Sequence, residues 1–177
     1  MRACPPSLPL DARARAEALI KSVSSANLRR ARVLLAADPA LARHDLACAC
    51  ATGEVEEVTR RLDAEPQVVS EPTGPNGWAP ILYACFSRLL RGDPARAPRI
   101  RAVVRLLLDA GADPNSHFVK GDWVQVALYG AAGIAGDVEL TRLLLEAGAL
   151  VPERVGDPRH GPRAAKLIAA LGLDPPG

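Results

Sequence analysis

Thr141-Arg-Leu-Leu-Leu-Glu-Ala-Gly148 restates Val104-Arg-Leu-Leu-Leu-Asp-Ala-Gly111 with changes only at the first and sixth positions. Two fainter versions lie upstream, Ala31-Arg-Val-Leu-Leu-Ala-Ala-Asp38 and Val58-Thr-Arg-Arg-Leu-Asp-Ala-Glu65. The last leucine of each phrase has partners on an i, i+3, i+7 stripe: Leu28/Ala31/Leu35, Val55/Val58/Leu62, Arg101/Val104/Leu108 and Val138/Thr141/Leu145. That spacing predicts four amphipathic helices, with Arg101 and Thr141 as the weak members.

A second short helix is expected ahead of each phrase, over residues 17–23, 45–50, 79–85 and 126–132. These stretches are rich in Ala, Cys and Gly, which let neighbouring helices approach closely. Tight connections separate the paired helices at Ser25-Ala-Asn27, Thr52-Gly-Glu54 and Ala135-Gly-Asp137. Glycine there ends one helix in the left-handed conformation, and Asp137 caps the next. The unit is therefore helix, turn, helix and a longer loop, repeated four times at irregular spacing.

Composition agrees. The chain has 177 residues and 18.7 kDa, the size of one domain, and is 49% hydrophobic and 24% charged, which excludes a disordered tail. Only six residues are aromatic, all between Trp78 and Tyr129, so the apolar content is alanine and leucine, which favour helix over strand. Sixteen prolines and fourteen glycines predict many short helices. The longest mid-chain runs free of charge and of Asn or Gln, such as residues 126–136, are far too short for a membrane span. Met1 to Leu10 has no apolar core of a secretory signal, and four cysteines (Cys4, Cys48, Cys50, Cys85) without one read as reduced thiols, so a cytoplasmic protein is expected. A net charge of +2 does not call for nucleic acid or a membrane. The only lysines are Lys21, Lys120 and Lys166, and the arginine excess reads as coding bias.

These phrases resemble the ankyrin-repeat family. Its unit of roughly 33 residues runs from a β-turn and a Thr-Pro-Leu-His-x-Ala-Ala opening through two antiparallel helices to a Leu-Leu-Leu…Gly-Ala-Asp close. Gly136 to Ala149 matches best, then Val103 to Asn115, then Asn76 to Cys85 as a degenerate opening. The resemblance spans residues 15–151. It implies an all-α, ankyrin-like repeat solenoid of about four helix-turn-helix units, working as a non-catalytic scaffold that binds a protein partner through its concave face and inter-repeat loops. Departures stand beside the match. Leu82 and Tyr129 occupy the family's histidine position, residues 88–99 are inserted between the helices of the third unit, and the pattern decays after Gly148. Asp93-Pro94 is expected to start the second helix of that unit early. Residues 1–10 are expected to be a disordered tail, 11–151 the repeat domain, and 152–177 a loop with a short helix over 163–171. That helix reads as a makeshift C-terminal cap or as the end of a shortened array, and Asp11 to Val23 as an N-terminal cap with Arg13 and Arg15 facing water.

Catalytic and metal motifs are weak. On a helix, Cys48 and Cys50 point to different faces, so they read as small core residues, with Cys85 in the same slot as Cys50. His44, His117 and His160 lie far apart, and Asp45 beside His44 reads as a helix cap. No nucleophile elbow, phosphate loop or dinucleotide fingerprint is present, so no enzyme, metal or cofactor is expected. The arginines at 29, 30, 32, 96, 99, 101 and 105 read as a solvated face, or alternatively as a site for an acidic or phosphate-bearing partner. Glu54, Glu56 and Glu57 interrupt any nucleic-acid track. The loops Glu71 to Trp78 and Ser116 to Trp123 carry turn signals at Asn76-Gly77 and Lys120-Gly-Asp122. Trp78 reads equally as core or as an interface anchor. The candidate partner-binding residues are Asn76, Trp78, Tyr83, His117, Phe118, Lys120 and Trp123, with Arg88 and Arg91 at the margin and Tyr83 also readable as core. A monomer or weak dimer is expected, and a regulatory or inhibitory subunit docking on an enzyme is the alternative role.

Overall fold

The computed structural model describes residues 11–25, 27–151 and 161–171. The expected tail at 1–10 and most of the loop after Val151 lie outside the described residues. The chain is mostly helical, with one small two-stranded sheet. Helix α1 spans Ala12–Ser24, capped by the Asp11 carboxylate, which accepts from the Arg13 and Ala14 N–H groups. After it come α2 (Leu28–Ala37), α3 (Leu46–Thr52) and α4 (Val55–Ala64). Then come α5 (Pro80–Cys85), α6 (Leu89–Gly92) and α7 (Ala97–Asp109). A hairpin of β1 (His117–Lys120) and β2 (Trp123–Val126) leads into α8 (Ala127–Tyr129), a π-helical segment Gly130–Ala135, α9 (Val138–Glu146) and finally α10 (Gly161–Ala170).

Helices pair as expected, α1 with α2, α3 with α4, α5 with α7, and the α8/π-helical segment with α9. The first helices are also neighbours of one another: α1 packs on α3, α3 on α5, and α5 on α8. Their Ala/Cys/Gly content explains this, since every residue from Leu46 to Thr52 is buried. Gly53 and Gly136 adopt the left-handed conformation at the joints, and Asp137 accepts from the Leu140 N–H at 2.8 Å. Asp45 caps α3 through the Cys48 N–H at 2.7 Å, which accounts for the His44-Asp45 pair.

Three details differ from expectation. The buried face of the second helices is set by Ala31/Leu34, Val104/Leu107 and Thr141/Leu144, while Leu35, Leu108 and Leu145 are half-buried and Val138 is exposed. Asp93 caps a turn, accepting from the Ala95 and Arg96 N–H groups, and α7 starts only at Ala97 with Pro98 in its first turn. The inserted segment, read from the sequence only as an insertion, packs back on the first helix pair. Leu89 is fully buried, Arg88 N–H donates to Val23 O at 2.9 Å, and Arg32 donates to Gly92 O, tying the third unit back to the first pair.

Arginines clamp the joints. Glu54 is 7% exposed and accepts from Arg43 at 2.9 Å and Arg96 at 3.2 Å, while Arg96 and Arg99 also donate to the carbonyls of Thr52 and Gly53. Arg101 pairs with Asp137 at 3.1 Å and with Glu139, joining α7 to α9. Arg15, expected to face water, is partly buried and pairs with Asp38. At the far end Ala164 and Ile168 of α10 are buried, the helix packing on the π-helical segment.

Candidate functional site

Five of the six aromatics form one connected cluster. Trp78 stacks on Phe118, with centroids 4.0 Å apart, and also touches Tyr83 (5.2 Å) and Phe86 (5.9 Å). Phe86 meets Phe118 edge-on at 5.0 Å and Tyr129 at 6.2 Å. Tyr83, Phe86 and Tyr129 are buried and root the cluster in the helices, whereas Trp78 and Phe118 are half-buried. Trp78 is thus half-buried: one side meets the core and the rest is open.

The loop carrying Trp78 is pinned by a phenol. Tyr83 Oη donates to Thr73 O at 2.7 Å and accepts from the Asn76 N–H at 3.0 Å, and Thr73 pairs with Trp78 across the turn. Burial pushes the Tyr83 phenol up from its ordinary pKa, with the Asn76 N–H pulling the other way. The second loop is a hairpin, an element not expected in an all-α chain. Its register pairs His117 with Val126, Phe118 with Gln125, Val119 with Val124, and Lys120 with Trp123. Gly121 has φ 60°, which a two-residue hairpin turn with glycine in first place requires.

Between hairpin and helix α1 lies a groove of about 1070 Å³. Phe118, Lys120, Trp123 and Gln125 share the strand face that lines it, and Trp78, Phe86 and Tyr129 form the floor. The opposite wall is one face of α1, Glu17, Ile20, Lys21 and Ser24, at i, i+3, i+4, i+7 spacing. Asn76 and Arg88 close the ends.

Six of the nine candidate residues thus meet in one groove: Asn76, Trp78, Arg88, Phe118, Lys120 and Trp123. Three do not. Tyr83 is 1% exposed, so its role is to position the loop. His117 falls on the other face of β1 because strand side chains alternate, and Arg91, although exposed, lies outside the groove. Lys21 and Gln125 escaped the sequence reading. The α1 stripe was visible in the helical spacing, but Gln125 acquires meaning only from the hairpin register.

Burial pushes the thiols of Cys48, Cys50 and Cys85 up, so they stay protonated near neutral pH. Among the described residues, no His/Cys/Asp/Glu group is arranged to hold a metal ion, and no helix is long and apolar enough to cross a membrane. Comparison with known proteins finds no matching family model, curated protein or solved structure.

Proposed function

We propose that the chain is a non-catalytic protein-binding scaffold, an ankyrin-like solenoid of four helix pairs that takes its partner in the aromatic groove. What supports the repeat reading is the pairing order, the left-handed glycines at two equivalent joints, and Asn115. The Asn115 side chain bonds Gly148 O (3.3 Å) and the Leu150 N–H (2.8 Å), linking the loops that end the third and fourth units. The observation that carries the function is the groove. Half-buried Trp78 and Phe118 and exposed Trp123 sit together above a rigid helical base, the arrangement of an interface anchor. Against nucleic-acid binding through the arginine face stands the pairing of three of its seven members, Arg96, Arg99 and Arg101, with Glu54, Glu56, Asp137 and Glu139.

Affinity capture from native extract, run with wild type and with Trp78→Ala/Trp123→Ala, tests this. A partner held by wild type and lost by a folded double variant is the expected result. A partner held equally by both refutes the groove.

A further inference from the structure

We infer that the groove takes an extended, acidic peptide segment of the partner; this rests on the groove being the partner site. Three independent observations converge. First, the charge is one-sided. Lys21 on the α1 wall, Arg88 at the end and Lys120 on the hairpin have no acidic partner among the described residues. The lining carboxylate, Glu17, already pairs with Arg13 at 3.2 Å. At the joints, by contrast, Arg43, Arg96, Arg99 and Arg101 are paired with carboxylates, whereas in the groove three unpaired cations surround an apolar floor.

Second, Gln125 is 6% exposed, yet its carboxamide makes no hydrogen bond among the described residues. Arg15 Nε is the one fully buried side-chain polar atom left unpaired among the described residues, so the Gln125 carboxamide stays reachable from the groove, its donors and acceptor free for a ligand. That amide has one acceptor and two donors, the complement of a peptide bond in an extended chain. Third, the groove, at about 1070 Å³ and partly open to solvent, lies at the upper end of the roughly 300–1,000 Å³ of small-molecule pockets, with room for a peptide segment. Trp78 and Phe118 turn one ring face each to the other at 4.0 Å, leaving fewer faces on which a single-stranded nucleic acid would stack. An acidic peptide instead sets its carboxylates over the three cations, its main chain on Gln125, and an apolar side chain against Trp78 and Trp123.

The test is selection of a displayed random-peptide library on the full chain, beside folded Trp78→Ala/Trp123→Ala, Gln125→Leu and Lys21→Glu/Lys120→Glu variants. The expected result is enrichment of Asp- and Glu-rich peptides bearing an apolar residue. Synthetic copies should weaken about tenfold on Lys21→Glu/Lys120→Glu and lose affinity on Gln125→Leu. Neutral or basic peptides, lost on the tryptophan variant, overturn the acidic class while leaving the groove as the site. Peptides indifferent to the tryptophans overturn both. An empty selection overturns the peptide inference, as does displacement of the selected peptides by a short poly-uridylate.

Discussion

Tyr83 shows how a residue shapes the groove without lining it. Its hydroxyl is the only side-chain group hydrogen-bonded to the Thr73–Trp78 turn among the described residues, through one bond given and one received. Tyr83→Phe keeps the ring against Trp78 but removes both bonds, and should cost about 1–2 kcal/mol in urea denaturation. Amide exchange should accelerate at Asn76 and Gly77 while α5 stays protected. Unchanged exchange there would show that the Trp78 stack alone holds the loop. At this scale the sequence was informative where residue type suffices. The clustering of all six aromatics between 78 and 129 pointed to the region of the groove, since a scarce, large side chain concentrated in one region has few places to go. The sequence left Tyr83 open between core and surface and set His117 beside residues on the opposite strand face, because burial and strand parity are set by packing and register, which residue type does not encode.

Helix pairs and their turns were legible because their signals are local: Asp45 and Asp137 as caps, Gly53 and Gly136 as stops. The phase of the second helices was not. Three consecutive leucines sweep roughly 200° of the helix surface, so periodicity cannot choose between Leu107 and Leu108, and only contact with the first helices does. The hairpin was hidden for a related reason: His117–Lys120 and Trp123–Val126 are four residues each, too short for alternation to stand out. Close helix approach is itself testable. A Cβ at Gly130 would lie 2.8 Å from both Cys85 O and a Phe86 ring carbon. Gly130→Ala, although favourable for helix propensity, should therefore destabilise by about 1–3 kcal/mol. A neutral or stabilising effect would mean that α8 does not pack against α5 as described.

Across the whole molecule, charge joins what the small helices cannot hold by area alone. Glu54 links the α3–α4 turn to Arg43 and Arg96; burial opposes its ionisation, yet those hydrogen bonds hold its pKa below the ordinary range. On α4, Arg60 leads in lowering Glu57 to about 2, with Arg61 assisting against burial. Both carboxylates are lowered on folding, so their stabilisation is complete above the unfolded value of about 4.3 and is lost as pH falls from there toward 2. Urea midpoints should fall across that window, and Glu57→Gln should flatten the fall; a slope unchanged by that substitution would remove Glu57 from the acid response. Glu54→Gln should cost about 1–2 kcal/mol at neutral pH by removing the charge and one of the two oxygens that accept from Arg43 and Arg96. The central claim, however, is that the aromatic groove between α1 and the hairpin holds the partner. Hydrogen–deuterium exchange of the captured complex measures this directly. New protection is predicted in residues 73–78, 117–126 and the Glu17–Ser24 face of α1, with α4, α7 and α9 unchanged. Protection confined to those second helices, with the groove segments exchanging as in the free chain, would contradict it.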